Sequence, residues 1–541
     1  MNRFDEIIIS NGWLNDKELG EYRKSSLKRG VSLLKMLVLE SLVEEEQVLR
    51  ALAGSMSVDF YPSLSVPAAV DPKAVQKMPV KLAQHYQVIP VEYDNSSLTV
   101  AVSDPTSSWV IEDLELNLGV RIKLVLACAR EISNAITRHY GLGTDTIDDI
   151  LADGEVNISV QELPEDVDTG ADDASVIKLV NQIINEAVRQ RATDIHIEPY
   201  RNSLVIKQRI DGVLYDMNVS EEAKHLRGAI VSRIKIISGL DVVQKRKPQD
   251  GRVLIKTGTV QADLRVSVIP SIYGESVVIR ILPSGVLMGL DDLGFYAEHQ
   301  EIIEKSLQSS TGIIFVTGPT GSGKTTTLYA CLQRLDRDKK KIITLEDPVE
   351  YELQGITQIQ IRANQGFGFS DALRSVLRHD PDIMMVGEVR DSQTAQLAVR
   401  TALTGHLILS TMHTNDAVSS AVRLMDLGIE PYLLASSIRA FIAQRLVRCL
   451  CDECKVKTED GYGAGAGCVK CSDTGYHGRT ALYEILTVDE NIMNMITEKK
   501  SADQIRQAAS VHGYVSFSDT AGKKVEQGLI SRQEVIRVLG I

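Results

Sequence analysis

Residues 312–335 read GIIFVTGPTGSGKTTTLYACLQRL and place an apolar run, a glycine-rich loop and a helix-forming stretch in direct succession. The loop satisfies the pattern GxxxxGK[ST] from Gly318 to Thr325. A phosphate-binding loop needs a strand before it and a helix after it, so this order predicts strand, loop and helix in an α/β domain. The alternative is a glycine-rich turn that matches the pattern by chance, but a chance match has no reason to lie between a predicted strand and a predicted helix.

The loop residues have separate roles in the predicted site. Glycines let backbone N–H groups approach phosphate oxygens, and the start of the following helix adds a favourable dipole. Lys324 supplies a point charge to the β and γ phosphates, and the Thr325 hydroxyl can hold Mg²⁺. The residues predicted to bind ATP are Gly318, Pro319, Thr320, Gly321, Ser322, Gly323, Lys324, Thr325 and Thr326.

Polar residues end three later apolar runs, which are IITLEDPVEY (342–351), DIMMVGEVRD (382–391) and TGHLILSTMHT (404–414). Parallel strands deliver such residues to the carboxyl edge of a sheet. We expect either Glu346 or Glu388 to polarise a water and the other to order the Mg²⁺ shell. The sequence does not decide which of them is the main base. His406 and His413 are weaker candidates, because a lone histidine is often a structural donor.

The composition predicts a multidomain globular protein. The chain has 541 residues, 44% hydrophobic and 24% charged, which suggests about three to four folded units. No apolar run reaches the roughly 20 residues that span a bilayer. The N-terminus has no apolar stretch long enough for a secretory signal, so we expect a cytosolic location. A net charge of −13 argues against a general binder of nucleic-acid phosphates.

The chain before the phosphate-binding loop changes pattern several times. Residues 1–60 have the composition of short helices. Residues 61–141 mix the strand candidates VIPVEY and LTVAVSD with the helix candidate ACAREISNAITRHY and predict a small α/β domain. Residues 142–173 are rich in Asp and Glu, which is typical of a flexible solvated linker about which domains swing.

Two local patterns follow the acidic segment. Apolar residues recur at helical spacing over 174–191 and predict an amphipathic helix, with Asp172 or Asp173 as its cap. The segment LVIKQRIDGVLYDM predicts a hairpin, because Asp-Gly favours a type I′ turn. Strand alternation then places Arg209 on the polar face beside Asp211. Arg209 is therefore either an ordinary surface partner of Asp211 or a residue that reaches a bound γ-phosphate.

Two Cys-x-x-Cys pairs lie in CDECKVKTEDGYGAGAGCVKC, residues 451–471. Disulfides are not expected in a reducing cytosol, and two such pairs at this spacing predict a tetrahedral Zn²⁺ site. Four protein ligands leave no open position, so the metal should be structural. Free surface thiols and a redox pair are the alternatives. The predicted ligands are Cys451, Cys454, Cys468 and Cys471, and Cys449 lies outside the set.

From about Ala174 to the C-terminus the chain resembles the secretion ATPase superfamily, specifically the assembly ATPases of type IV pili and type II secretion systems. The motifs that carry the resemblance occur in the order RATDIHIEP, RIDG, KRKPQDGR, GPTGSGKTTTLY, LEDPVEY, ALRSVLRHDPDIMMVGEVRD, LTGHLILSTMHTN and AQRLVR. The resemblance implies a PAS-like domain over 174–285 after a two-part N-terminal domain. It also implies a RecA-like ATPase domain over 286–541, with the cysteine insert at 449–480.

The resemblance further implies the roles of individual residues. Lys324 and Thr325 form the Walker A pair, Glu346 lies in the aspartate box, Glu388 ends Walker B, and His406 and His413 belong to the histidine box. The arginines that act on the nucleotide of a neighbouring subunit correspond to Arg209, Arg374 and Arg378. The implied assembly is a homohexamer at the inner face of the membrane. Its implied partners are an inner-membrane platform protein and a cytoplasmic adaptor, and no nucleic acid is expected.

The N-terminal 140 residues are similar to the N-terminal domains of the same ATPases, though more loosely. Some of those relatives bind cyclic di-GMP there through paired motifs that begin Arg-Leu-Gly. This chain has Arg3-Phe4-Asp5 at the first position and Ser32-Leu33-Leu34 at the second. Both depart from the pattern, so docking to a partner protein is favoured over binding of this ligand.

The leading interpretation is a motor that powers assembly of a type IV pilus. The resemblance supports it, because assembly ATPases commonly carry the four-cysteine module and the retraction ATPases of pili do not. A type II secretion motor is the alternative within the family, and no residue decides between the two. A nucleic-acid translocase is disfavoured by the net charge, the few aromatic residues and the lack of a base-stacking motif. A scaffold without hydrolysis conflicts with the intact loop and Glu388.

Overall fold

The computed structural model describes residues 3–29, 32–40, 42–64, 69–105, 108–141, 174–219, 226–257, 260–283, 288–459, 461–510 and 513–540. The chain divides into two compact units, Met1–Pro283 and Ser284–Ile541. The first unit contains a three-stranded and a six-stranded sheet, and the second is built on a seven-stranded sheet. The predicted α/β fold class is confirmed.

Short helices begin the first unit and pack on the three-stranded sheet. Val48, Leu49 and Leu52 are buried with Leu98 and Leu126 of the sheet in one hydrophobic cluster. Burying each such side chain contributes about 1.5–3 kcal/mol. The elements are α1 (Arg3–Ser10), α2 (Asp16–Arg29), α3 (Leu33–Leu39), α4 (Glu45–Met56), α5 (Pro72–Lys77), α6 (Val80–His85), β1 (Ile89–Tyr93), β2 (Ser97–Val102), α7 (Ser108–Leu118), β3 (Arg121–Leu126) and α8 (Ala129–Tyr140).

The secondary structure predicted for this region is confirmed. The two strand candidates are β1 and β2, and the helix candidate is α8. β1 pairs antiparallel with β2, which pairs parallel with β3. The predicted acidic linker at 142–173, with the caps Asp172 and Asp173, lies outside the described residues.

A six-stranded antiparallel sheet with two helices on one face completes the first unit. Its elements are α9 (Ala174–Arg189), β4 (Ala192–Pro199), β5 (Leu204–Ile210), β6 (Val213–Asp216), α10 (Arg227–Ile237), β7 (Gln249–Thr257), β8 (Val260–Ser271) and β9 (Gly274–Pro283). The strand order is β6-β5-β4-β9-β8-β7. Ile183 of α9 and Ile234 of α10 are buried against Ile195, Val266 and Ile279 of the sheet. The predicted amphipathic helix is confirmed as α9.

The predicted hairpin is β5 and β6. Asp211 and Gly212 both have positive φ, 49° and 88°, as a type I′ turn requires. The alternation is also confirmed, because Ile210 is buried whereas the side chain of Arg209 is 34% exposed. Arg209 therefore lies on the sheet face opposite α9 and α10.

The first α-helix described in the second unit is α11 (Ala297–Leu307), and alternating strands and helices follow it. The following elements are β10 (Gly312–Thr317), α12 (Lys324–Gln333), β11 (Ile342–Glu346), β12 (Thr357–Gln360), α13 (Phe369–Val376), β13 (Ile383–Val386), α14 (Ser392–Leu403), β14 (Leu407–Met412), α15 (Ala417–Asp426), α16 (Pro431–Ser437), β15 (Ile438–Leu450), β16 (Val456–Thr458), β17 (Gly461–Gly463), β18 (Tyr476–Thr487), α17 (Glu490–Thr497), α18 (Ala502–Ala509), α19 (Phe517–Glu526) and α20 (Arg532–Leu539).

The seven-stranded sheet has the order β12-β11-β13-β14-β10-β15-β18. All neighbouring pairs are parallel except β15 with β18. Every residue of β10, β11, β13 and β14 is buried, as expected for strands covered on both faces. The parallel arrangement brings the loops after these four strands to one edge of the sheet.

Candidate active site

Left-handed glycines shape the loop between β10 and α12. Gly318, Gly321 and Gly323 have φ values of 149°, 76° and 86°. A Cβ atom at Gly318 would lie 2.5 Å from the carbonyl oxygen of Gln444, and one at Gly323 would lie 2.8 Å from Gln444 Nε2. A Cβ at Gly321 would meet open space. Only glycine fits at Gly318 and Gly323, and the backbone stays open for the close approach of a phosphate.

Lys324 is the first residue of α12 and bends back over the loop. Its Nζ donates to the carbonyl oxygens of Gly318, at 2.9 Å, and Pro319, at 3.0 Å. Burial lowers the pKa of Lys324 to about 8; the nearby Glu388 opposes this shift and Arg445 adds to it. A bound phosphate would favour the charged ammonium at this position.

The remaining loop residues fit a nucleotide with its metal. Thr325 is exposed, and its hydroxyl oxygen is the kind of ligand that Mg²⁺ accepts. Thr326 is half-buried beside it. The hydroxyl of Ser322 is buried and has no hydrogen-bond partner among the described residues. The loop thus holds both a polar hydroxyl without a partner and an accessible oxygen ligand.

Glu346 lies at the end of β11 and is 3% exposed. Tyr329 of α12 donates a hydrogen bond to its Oε2 atom. Thr344 and Gln358 donate to Oε1, at 2.6 Å and 3.1 Å. Both carboxylate oxygens are therefore already engaged, by the buried Tyr329 and Thr344 and the half-buried Gln358, which fixes the orientation of Glu346.

Glu388 follows β13 after Gly387, and its side chain is 18% exposed. Its Oε2 atom lies 2.8 Å from Nε of Arg390 and 3.6 Å from Nε2 of His413. The structure therefore brings Glu388 and His413 together at the sheet edge that carries the loop. Glu388 is also an electrostatic neighbour of Lys324.

The other residues proposed from the resemblance make local contacts. His406 Nδ1 lies 3.0 Å from the carbonyl oxygen of Thr401, which is a structural role. Arg374 on α13 pairs with the exposed Asp371 at 3.6 Å. Arg378 donates to the carbonyl oxygen of Arg374 at 3.2 Å. Both arginines are exposed.

Arg209 belongs to a row of charged side chains that crosses the six-stranded sheet. Residues directly opposite one another share a sheet face. The paired positions are Arg252 with Arg265, Arg265 with Arg280, Arg280 with Asp194, and Asp194 with Arg209. We call these five residues the arginine row. Like charges directly opposite each other are destabilising, so this arrangement favours an anionic partner.

Carboxylates neutralise part of the arginine row. Asp263 accepts a hydrogen bond from Arg252 Nε at 2.7 Å. Asp194 accepts one from Arg280 Nε at 3.1 Å and lies 3.8 Å from Arg209 Nε. The side chain of Arg280 is 63% exposed despite its partner. The row therefore presents guanidinium groups to solvent.

Gln444 and Arg445, both on β15, were not predicted from the sequence as site residues. Arg445 donates to the carbonyl oxygen of Asn415 at 2.9 Å and stacks on the ring of Phe517. Burial lowers its pKa. Their only signal in the sequence was the motif AQRLVR, which gave no role to either residue. Arg252, Arg265 and Arg280 were not predicted either, because they become neighbours only through strand pairing.

The four predicted cysteine ligands form one cluster. Their sulfur atoms all lie within 4.8 Å of one another. The separations are 3.6 Å for Cys451 and Cys468, 3.8 Å for Cys454 and Cys471, and 3.7 Å for Cys468 and Cys471. Tetrahedral thiolates about 2.3 Å from a Zn²⁺ ion would be about 3.8 Å apart. The donor set and its spacing therefore fit this metal.

The loop inside the cysteine cluster is more ordered than its glycine-rich sequence indicates. β16 and β17 form an antiparallel hairpin in it. A Cβ atom at Gly465 would lie 1.7 Å from the carbonyl oxygen of Cys454. The amides of Cys468 and Gly475 donate to the sulfur of Cys471 at 3.2 Å and 3.3 Å. Such donors stabilise a thiolate.

At the two N-terminal positions that depart from the Arg-Leu-Gly pattern, side chains contact other residues of the helical region. Phe4 and Asp5 are buried, and Asp5 accepts a hydrogen bond from Arg23. Ser32 caps α3 by accepting from the amide of Lys35. Leu34 is buried in the hydrophobic core. These side chains therefore take part in folding the helical region.

Comparison with known families decides the identity of the chain. The sequence profile described as type II/IV secretion system protein matches residues 169–537. The chain belongs to this family. A second profile, the MshEN domain, matches residues 66–146. The predicted resemblance to secretion ATPases is thereby confirmed.

Relatives of this secretion ATPase carry two kinds of names. The type IV pilus assembly ATPase PilB of Myxococcus xanthus is 37% identical over 560 residues, covering 99% of this chain and 98% of the relative. The type II secretion system protein HxcR of Pseudomonas aeruginosa is 41% identical over 451 residues, covering 81% of this chain and 94% of the relative. The type II secretion system protein E of Xanthomonas campestris is 36% identical over 562 residues, covering 99% of this chain and 98% of the relative.

The family membership establishes that the protein is an ATP-hydrolysing enzyme, as the phosphate-binding loop predicted. The solved ATPase DotB of Legionella pneumophila has 24% sequence identity and a TM-score of 0.52. The match covers 69% of this chain and 96% of that chain, which shows a shared fold. Across the described ranges, no helix of the secretion ATPase is both long and apolar enough to cross a membrane.

Proposed function

We propose that this ATPase hydrolyses Mg²⁺-bound ATP as a homohexamer to power assembly of a type IV pilus. The four-cysteine cluster carries the assignment to an assembly motor, because the resemblance associates that module with assembly motors and not with retraction motors. The similarity to M. xanthus PilB over 99% of the chain supports it. An inner-membrane platform protein would receive the motion, and a cytoplasmic adaptor would hold the motor at the membrane.

The proposed domain bounds follow the sequence analysis. A helical part over 1–60 and an α/β part over 61–141 form the N-terminal domain, and an acidic linker follows over 142–173. A PAS-like domain covers 174–285, and the ATPase domain covers 286–541 with the cysteine insert at 449–480. Docking to the adaptor is assigned to the N-terminal domain, because the side chains at its two altered motif positions serve the core and a helix cap.

In the proposed reaction the loop backbone and Lys324 hold the phosphates, and Thr325 holds Mg²⁺. Glu388 accepts the proton of the attacking water, since among the described residues its half-buried carboxylate contacts the side chains of Arg390 and His413, which can reorient. Glu346 instead positions neighbouring groups, because three donors already engage its oxygens. His413 stands beside Glu388 as a donor to the developing charge.

The arginine row would supply the trans-acting cation. A groove of about 570 Å³ is lined by Arg252, Arg265 and Arg280, which is within the usual size of ligand sites. In a ring of copies, this face could meet the nucleotide of a neighbouring subunit. Arg209 at the end of the row is the residue proposed from the sequence, and Arg374 and Arg378 are further candidates from the ATPase domain.

Zinc is the proposed metal of the cysteine cluster. The sulfur separations match a tetrahedral thiolate set. When bound, the ion would supply folding free energy to an insert that has little apolar core of its own. Cys451, Cys454, Cys468 and Cys471 would hold it with no open position, so it takes no part in hydrolysis.

A type II secretion motor is the second candidate, favoured by the similarity to HxcR and to protein E. A deletion strain of the source organism separates the two. Pilus recovery by shearing and secretion of exoproteins would both be measured after complementation with the wild type or with Lys324→Ala. Loss of pili alone supports the leading proposal. Loss of secretion alone replaces it with the alternative.

A nucleic-acid translocase is tested in vitro. ATPase activity of the full chain would be measured with and without single-stranded DNA at physiological salt. We expect no stimulation, because the chain carries a net charge of −13. Stimulation of several fold by the DNA would overturn the assignment to a filament-assembly motor.

A further inference from the structure

A buried amide lies directly beneath the phosphate-binding loop. Gln444 is 1% exposed and belongs to β15, which runs parallel to β10. Its neighbour Ala443 pairs with Thr317, the last residue before the loop. A glutamine buried next to apolar residues such as Ala443 costs free energy unless its amide makes hydrogen bonds. Its position therefore requires a specific partner.

The partner is Thr327 of α12. The Thr327 hydroxyl donates to Gln444 Oε1 at 2.7 Å, and both side chains are buried. Thr327 lies one turn after Gly323 and is hydrogen-bonded to it through the backbone at 3.0 Å. The bond thus ties β15 to the first turn of the helix whose N-terminus faces the phosphates.

The other end of the amide lies against the loop itself. Gln444 Nε2 occupies the space beside Gly323, where a Cβ atom would be only 2.8 Å away. The Gln444 carbonyl oxygen lies even closer to Gly318, at 2.5 Å from the position of a Cβ atom. The two glycines are the first and sixth residues of the motif. One residue of β15 therefore contacts both ends of the loop.

We propose that Gln444, held by Thr327, is a positioning residue that fixes the shape of the phosphate-binding loop. It acts through the loop and not on the substrate. Its amide supports the left-handed backbone of Gly323, at φ 86°, and so aims the loop N–H groups and Lys324 at the phosphates. Since displacement of a catalytic group by about 1 Å can cost about 100-fold in rate, loss of this support should reduce turnover without unfolding the domain.

The test compares Thr327→Val, which removes the hydroxyl at constant shape, with Thr327→Ser, which keeps it. Steady-state ATPase kinetics of the full chain should show kcat/KM reduced about 100-fold in Thr327→Val and restored to within about threefold by Thr327→Ser. KM for ATP should rise about tenfold in the valine variant. A purely structural defect would lower the folded fraction and hence the apparent kcat, and would leave KM unchanged.

Gln444→Met, of similar volume, tests the other side of the bond. If the two side chains act together, the double variant Thr327→Val with Gln444→Met should be no slower than the worse single variant. Thr520→Val is the matched control, because its buried hydroxyl donates to the Tyr483 carbonyl oxygen at 3.0 Å, away from the loop. It should leave kcat/KM unchanged. An unchanged KM in Thr327→Val, or independent costs in the double variant, would overturn the proposal.

Discussion

The phenol of Tyr329 on α12 donates a hydrogen bond to the carboxylate of Glu346 at the end of β11. Both side chains are buried. The bond joins the helix that follows the phosphate-binding loop to the adjacent catalytic edge of the sheet. Because Thr344 and Gln358 occupy the other oxygen, Glu346 is an anchored acceptor. Glu388, by contrast, contacts the exposed groups of Arg390 and His413 through one oxygen.

The two glutamates should therefore respond differently to the same substitution. Glu388→Gln should lower kcat by about 100-fold or more and leave the affinity for an ATP analogue unchanged, as expected for loss of a general base. Steady-state and binding measurements on one preparation would show this. Loss of nucleotide affinity instead would reassign Glu388 to a structural role.

Glu346→Gln should affect stability as well as turnover. A glutamine cannot accept from all three donors, and each buried donor left unsatisfied costs about 1–3 kcal/mol. Thermal unfolding should therefore occur at a lower temperature in Glu346→Gln than in Glu388→Gln. Equal melting temperatures with equal losses of kcat would mean that the two carboxylates share one role.

The pKa of Lys324 predicts a pH-dependent affinity for nucleotide. Burial lowers this pKa to about 8, so the nucleotide-free protein loses the ammonium charge as the pH rises above 8. Bound phosphates favour the charged form, and binding above pH 8 must take up a proton. The Kd of a non-hydrolysable ATP analogue should rise with pH, approaching tenfold per unit above pH 8. A flat profile from pH 7 to 9.5 would contradict this.

Removal of the lysine provides the companion measurement. Lys324→Ala deletes a phosphate contact on a partly exposed loop and leaves no cavity. Hydrolysis should fall below a tenth of wild type while the melting temperature stays unchanged. Residual turnover above that level would show that Lys324 does not bind the transferred phosphate.

What the sequence predicted depends on how local the signal was. The phosphate-binding loop, the hairpin with Arg209 and the cysteine pairs are each encoded within about 25 neighbouring residues, and the structure places all three as expected. The arginine row could not be predicted from the sequence, because its residues become neighbours only when β4, β5, β7, β8 and β9 pair in register. Gln444 was missed for the same reason, since its partner Thr327 lies 117 residues away.

The cysteine cluster should contain one zinc ion per chain. Elemental analysis of protein purified without chelators or added metal would measure it. Cys468→Ser removes one of four thiolates, so it should release the metal and destabilise the insert at 449–480. Cys449→Ser is the control, because Cys449 lies outside the cluster, and it should retain the zinc. Metal content near zero in the wild type would show that these four cysteines are free thiols.

Glu534 on α20 should make the second unit sensitive to acid. Burial alone would raise the pKa of this carboxyl, but hydrogen bonds from Arg537 and Arg448 lower it to about 2. The side chain of a glutamate in an unfolded chain has a pKa of about 4.3. Because the folded pKa is the lower one, the carboxylate stabilises the fold above about pH 4.3, and this contribution is lost as the pH falls towards 2.

Glu534→Gln tests that contribution. The variant leaves the partly buried Arg448, whose side chain is 12% exposed, without its carboxylate, at a cost of up to about 3–5 kcal/mol. Its melting temperature should be lower at pH 7 and should change less between pH 5 and 3 than that of the wild type. Glu498→Gln, which breaks only an exposed pair with Lys500, should cost at most about 1 kcal/mol. Equal effects of both variants would contradict the prediction.

Arg209 gives the sharpest test of the proposed ring. In the structure its neighbours include the Gly212 carbonyl oxygen, at 3.0 Å, and Asp194, at 3.8 Å. As a surface ion pair it would contribute at most about 1 kcal/mol, and its loss would barely register. As a cation delivered to the γ-phosphate of a neighbouring copy it would contribute roughly 10³ to 10⁵ in rate. Arg209→Ala should then lower kcat far more than it weakens ATP binding.

Mixing variants tests whether the site is shared between chains. Rings that contain both Arg209→Ala and Lys324→Ala subunits include sites in which an intact loop faces an intact arginine, so activity absent from either variant alone should return. Alanine variants of Arg265 and Arg280, the neighbours in the arginine row, would show which guanidinium reaches the phosphate, because only that variant should be complemented in the same way. Wild-type kcat in Arg209→Ala would remove Arg209 from the mechanism. Loss of activity without complementation by Lys324→Ala would place the arginine and the loop in one chain.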